Sequence, residues 1–172
     1  MPTTRIGLVS DTHGHLDSAL WRLFDGVEAI LHAGDIGDLH LVRELESIAP
    51  VSAIRGNTDA TSHRFPETLT TTIGEITVHV RHKVDTTSPM LYYLAATVEA
   101  NLVLFGHTHR PFIEQVKRTL FVNPGSVGRS RTGFGTAGLL LIEDRNLTVT
   151  IHNLEQAEFP VVMRSPASPT GT

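Results

Sequence analysis

Seven side chains in five short segments of this chain have the chemistry of ligands for divalent metal ions. Asp11-Thr12-His13, Gly34-Asp35, Gly56-Asn57, His82 and Gly106-His107-Thr108-His109 together offer two carboxylates, four imidazoles and one amide. There is no cysteine, so any metal must be held by nitrogen and oxygen. Such a set suits borderline ions: Mn2+, Fe2+, Co2+, Ni2+ or Zn2+. The segments differ in weight when taken singly. Asp-x-His also describes an aspartate capping a helix beside a surface histidine, and Gly-Asp and Gly-Asn are ordinary turn pairs. Gly-His-x-His is rarer by composition and carries more.

What unites the segments is their place after apolar runs. Arg5 to Val9 reads as a strand and leads into Asp11-x-His13, and Ala29-Ile30-Leu31 leads into Gly34-Asp35. Val51 to Ile54 precedes Gly56-Asn57, Ile76 to Arg81 precedes His82, and Leu102 to Phe105 precedes Gly106-His107-x-His109. Ligands of α/β sheets gather at the carboxyl ends of strands, so segments far apart in sequence can converge on one site. Between the first three strands, Leu16 to Val27 and Leu39 to Ile48 carry apolar residues at helical spacing, the second ending at Ala49-Pro50. This alternation implies parallel strands with crossover helices. Glu67 to Ile73 and Ile76 to Arg81 read as a hairpin around Gly74-Glu75, and Pro89 to Ala100 as a third helix. Beyond Phe105 the chain is mostly β: Phe112 to Val116, Thr119 to Val122, Ala137 to Ile142 and Leu147 to Ile151. A single α/β domain with a mixed, two-sheet interior is expected over residues 1–158. Residues 159–172, rich in Pro, Ser, Thr and Gly from Pro160 onward, read as a flexible tail.

The ordered pattern Asp11-x-His13, Gly34-Asp35, Gly56-Asn57, His82 and Gly106-His107-x-His109 resembles the calcineurin-like metallophosphoesterase superfamily. The short chain, and Asn123-Pro124-Gly125-Ser126 after the last ligands, resemble its small single-domain phosphodiesterase branch in bacteria and archaea. The likeness runs from about Arg5 to Ile151. It implies a two-sheet β-sandwich flanked by helices, an α/β/β/α arrangement. It implies two divalent ions, Mn2+ preferred, with Asp11, His13 and His109 on one, Asn57, His82 and His107 on the other, and Asp35 bridging. Asp35, Asn57 and His107 are the catalytic candidates within that set. The implied reaction is in-line attack on phosphorus by a hydroxide shared between the ions. The alternative is a weakly active or inactive member of the fold serving as a protein-interaction scaffold. Scaffolds of that kind show eroded ligands, whereas all seven positions here hold competent side chains.

Two positions depart from the family pattern. Thr58 stands where many relatives place a histidine that protonates the leaving group, and Asp59 follows it. This leans the reading towards diesters and activated esters, because a missing acid costs about 10²–10⁴ in rate with poor leaving groups. Lys83 stands where a glycine usually follows His82, where it either strains an unusual backbone angle or reaches a substrate phosphate. His79 is a rival to His82, although an odd spacing along a strand puts the two on opposite faces. His32 reads as a packed core residue, His15 and His40 as residues near helix starts, and His152 as a surface group; a place near the site is the lesser reading for His15 and His63. Arg110, Arg129 and Arg131 are either phosphate contacts or solvated charges, and Asn123 to Ser126 either lends backbone N–H groups to the site or is a plain turn.

Bulk composition sets outer bounds. The formal charge of −4, from 18 acidic and 14 basic residues, argues against a general nucleic-acid binder, which needs clustered positive charge. A small phosphate ester is the expected partner. No stretch approaches the roughly 20 apolar residues that cross a membrane, and the first residues lack the apolar core of a secretion signal. A cytoplasmic protein is therefore expected. Exposed sheet edges and small size are compatible with a homodimer.

Overall fold

The computed structural model describes residues 3–61, 64–128, 131 and 133–166. Its core is the space between two mixed sheets. The first contains β1 (Thr4–Val9), β2 (Ala29–His32), β3 (Val51–Ala53), β9 (Thr136–Glu143), β10 (Asn146–Asn153) and β11 (Val161–Arg164), in the order β11-β10-β9-β1-β2-β3. The second contains β4 (Thr68–Ile73), β5 (Ile76–Arg81), β6 (Leu102–Leu104), β7 (Pro111–Val116) and β8 (Thr119–Pro124), in the order β4-β5-β6-β8-β7. β1, β2 and β3 pair in parallel, as do β5, β6 and β8.

The two-residue period of a strand sorts side chains between layers. Ile6, Leu8, Leu31, Val78, Val80, Leu102, Leu104, Leu120, Val122, Leu140 and Val149 fill the space between the sheets. Their neighbours face outward. Val9 and Ile30 pack under Leu20, Leu23 and Phe24 of the first helical region and Leu45 of the second. Val103, Phe105 and Phe121 pack under Leu91 and Leu94 of the third helix. Apolar burial on both faces of both sheets gives the α/β/β/α layering.

The three helices among the described residues are α1 (Leu20–Leu23), α2 (Leu39–Glu46) and α3 (Ser88–Thr97). No helix among the described residues is long and apolar enough to cross a membrane. α1 is much shorter than the periodicity from Leu16 to Val27 predicts. Asp17 Oδ1 accepts the Ala19 N–H in a turn before the helix, and Gly26 at φ 74° closes the chain just after it. The end of the chain also differs from expectation. Val161–Arg164 pairs antiparallel with β10, and buried Ser165 donates its N–H to Val149 O and accepts the Val149 N–H at Oγ. The open edge of β10 recruits a short Val-Val-Met strand from a segment whose Pro, Ser and Thr content suggests a tail. Residues 167–172 lie outside the described residues.

Candidate metal centre

The parallel strands carry the seven candidate ligands to one edge of the sandwich. Their loops are joined by main-chain hydrogen bonds: Asp11 N–H to Gly34 O, His13 N–H to Asp35 O and Gly106 N–H to His82 O, each 3.0 Å. Asp11, His13, Asp35 and His109 each present a ligand atom within 4.8 Å of all the others. His13 Nε2 lies 3.1 Å from His109 Nε2 and 3.7 Å from Asp35 Oδ2, and His109 Nε2 lies 3.2 Å from Asp11 Oδ1. His82 approaches the same group, its Nε2 3.4 Å from Asp35 Oδ2 and 4.0 Å from Asp11 Oδ1. The His107 ring stands edge-on to that of His82, centroids 5.4 Å apart. Asn57 is exposed and lines a cleft together with His82. Asp35 Oδ2 thus faces both His13 and His82.

The donor set fits cations on the geometry of His82. Its Nδ1 lies 2.7 Å from Ala33 O, and a carbonyl only accepts, so the ring proton sits on Nδ1. In the neutral ring the lone pair of Nε2 therefore points at two carboxylates. That atom is buried and, among the described residues, has no partner at hydrogen-bond geometry. A ligating histidine commonly donates its other nitrogen to a backbone carbonyl in this manner. Asp11 and Asp35 are buried as well, and buried carboxylates need pairing or a metal.

Electrostatics separates the two acids. Burial raises the pKa of Asp11, against the pull of Ser10, His82, His109 and the His107 amide. Burial also opposes ionisation of Asp35, but the His82 ring and the amide and hydroxyl of Thr58 outweigh it and hold the carboxyl below the usual range. The pKa of His82 rises, because Asp35, the Ala33 carbonyl and Asp11 together overcome the effect of burial. That of His107 falls through burial and through the Lys83 and His82 charges.

Several supporting residues carry no signal in the sequence motif. Asp59 is buried, and its carboxylate accepts the N–H groups of Ile36, Gly37 and Gly56 at 3.1, 2.9 and 2.8 Å. It ties the Asp35 loop to the Asn57 loop, and only its spacing of three residues from Gly56 hints at this. His32 accepts the Gly34 N–H at Nδ1, so its Nε2–H donates to Thr12 Oγ1, whose hydroxyl donates to Ile36 O. Asn123 donates to Gly106 O and Thr108 Oγ1, and Ser126 donates to Asp11 O. The Asn-Pro-Gly-Ser segment therefore braces the ligand loops through its side chains, a role outside both sequence readings. Ser10 Oγ donates to Asp11 Oδ2 at 2.6 Å.

The remaining sequence candidates fall elsewhere. His79 accepts or donates at 2.9 Å with Thr70 Oγ1 on the face opposite the core, away from the cluster. His15 and His40 are exposed, the latter 3.6 Å from Glu44 on its own helix. His152 bonds Phe159 O and Thr150. Arg131 donates its N–H to His109 O and lines, with Arg110 and His107, a cleft of about 580 Å³. His63 and Arg129 lie outside the described residues.

Residues 4–145 match the calcineurin-like phosphoesterase superfamily domain. A probable metallophosphoesterase of Methanothermobacter thermautotrophicus is 33% identical over 157 residues, spanning 85% of this chain and 90% of its own. A phosphodiesterase of Methanocaldococcus jannaschii is 29% identical over 157 residues, spanning 82% of this chain and 95% of its own. Among solved structures, Vacuolar Protein Sorting 29 of Cryptosporidium parvum shares the fold with a TM-score of 0.82 at 19% identity, over 96% of this chain and 99% of that one.

Proposed function

Because the chain belongs to the calcineurin-like phosphoesterase superfamily, we propose that it is a two-metal phosphodiesterase. Asp11, His13 and His109 would hold one divalent ion, and Asn57, His82 and His107 a second, with Asp35 shared. Nitrogen and oxygen donors together favour Mn2+ or a neighbouring ion. When bound, the pair supplies a nucleophile at neutral pH and offsets charge developing on the phosphorus oxygens. The observation that supports the reading most is the buried Nε2 of His82, which faces Asp35 and Asp11 and, among the described residues, has no partner at hydrogen-bond geometry.

The protein's own groups fix the geometry. Thr58 pins Asp35 Oδ1 and leaves Oδ2 directed at His13 and His82. Thr58 is thereby a positioning residue and no proton donor, so acid assistance to the leaving group comes from elsewhere or is missing. This leans the reading towards diesters and activated esters and away from alkyl monoesters. The completeness of the donor set supports an enzyme over a non-catalytic scaffold.

The test is hydrolysis of an activated phosphodiester and its matching monoester, by metal-stripped protein, by protein with Mn2+ restored, and by Asp35→Asn. Metal-dependent diester cleavage that collapses in the variant is expected. Folded protein that binds metal yet turns over neither ester with any divalent ion would give the scaffold reading first place.

A further inference from the structure

Beside Asn57 and His82 lies a cleft of about 360 Å³ whose charges do not cancel. Two of its acids are already occupied. The Asp59 carboxylate accepts three main-chain N–H groups, and Glu67 is paired with Arg55. Arg81 and Lys83 remain, on either side of His82 in the chain. Arg81 closes β5 opposite Thr68 of β4. Its Nε is fully enclosed and, among the described residues, has no hydrogen-bond partner. The guanidinium lines the cleft, and a planar donor fork suits a phosphate or carboxylate. Lys83 is exposed and lines the cleft next to His82.

We infer that this cleft is a second anion subsite, in which Arg81 and Lys83 hold a phosphate group carried by the substrate apart from the phosphorus under attack. The inference rests on the phosphodiesterase reading for what is cleaved, but the anion site is a property of the protein without metal. It makes the preferred substrate a diester bearing a further terminal phosphate, such as a phosphorylated nucleotide ester. A diester without a further phosphate would leave the Arg81 and Lys83 charges at the cleft without a second anion.

Two measurements test it. Inorganic phosphate is titrated into the metal-stripped protein by calorimetry, comparing wild type with Arg81→Gln and with Lys83→Gln. Separately, the Mn2+-loaded wild type and both variants are offered a nucleoside p-nitrophenyl phosphodiester with and without a second phosphate on the ribose. One phosphate is expected to bind wild type, with affinity about tenfold weaker in each variant, the loss of one charge-assisted contact. The preference for the phosphate-bearing ester should fall by a similar factor. Lys83 is exposed, so its variant guards against misfolding as the cause. Failure of wild type to bind phosphate, or variants that match it in both binding and preference, would overturn the subsite. Should phosphate bind through Arg81 while neither ester is cleaved, the subsite stands and the phosphodiesterase reading falls.

Discussion

His13 Nε2 and His109 Nε2 meet at 3.1 Å although 96 residues separate them. Both hold left-handed backbone, φ 46° and 57°. Asp11, Asp35 and His107 do the same, at φ 53°, 54° and 71°. Left-handed backbone in a residue with a Cβ costs on the order of 1–3 kcal/mol, so five of the seven candidate ligands sit in conformations that the surrounding hydrogen bonds must enforce. His13 is held by its N–H to Asp35 O, and the His109 carbonyl by Arg131 N–H. A metal held by these residues would offset part of that strain.

Metal removal should therefore lower the melting temperature, and restored Mn2+ should raise it. A ligand at a hundredfold excess over its Kd adds about 2.7 kcal/mol. In His109→Ala the metal-dependent rise should shrink markedly, since one histidine of the close pair is gone. Differential scanning calorimetry with and without chelator checks this; equal metal-dependent shifts in wild type and variant would count against His109 as a ligand.

Gly56 precedes Asn57 because space, not backbone angle, demands it. A Cβ there would collide with the Asp35 amide and Oδ1. Gly56→Ala is expected to cost about 1–3 kcal/mol through overpacking and to displace Asp35. Metal affinity should fall together with stability. Denaturant unfolding and a metal titration read the two separately, and an unaltered metal affinity would contradict the placement.

Asp59→Ala strips acceptors from three main-chain N–H groups, those of Ile36, Gly37 and Gly56. A loss of roughly 2–4 kcal/mol is expected from the unsatisfied donors. Asp59→Asn keeps one acceptor oxygen and should lose less. Urea unfolding of the two variants beside wild type gives the ranking, which a merely exposed turn residue would not produce.

The His32 ring gives a pH signature. Burial lowers its pKa from 6.5 to about 4, outweighing the nearby Asp59. Between those values the unfolded chain binds a proton that the folded chain does not, so stability falls as pH drops through that window. The full loss is roughly 3 kcal/mol. Chemical denaturation from neutral pH down to about pH 4 should show a shallower decline in His32→Asn than in wild type; identical slopes would remove His32 from the account.

Much of this site was legible from residue type and local period. Asp11, His13, Asp35, Asn57, His82, His107 and His109 stand out because each follows an apolar strand run, and strand alternation separates His82 from His79. The α/β/β/α layering came from the likeness to a family, since hydrophobic period identifies strands but not which of them pair. Helix α1 was overestimated because Leu16 and Val27 pack in the same apolar layer without being helical, and β11 was missed because its pairing depends on an open edge that β10 presents only in the assembled sheet.

The amino-acid sequence by itself determined the chemistry on offer: a nitrogen and oxygen donor set, no thiol, and no histidine at Thr58. Only the tertiary structure decided how those donors are held. The Ala33 carbonyl sets the His82 tautomer from 49 residues away, and Asp59 joins two loops through main-chain amides up to 23 residues distant. Such contacts leave no periodic trace, because a hydrogen bond to a backbone group places no demand on the identity of its partner.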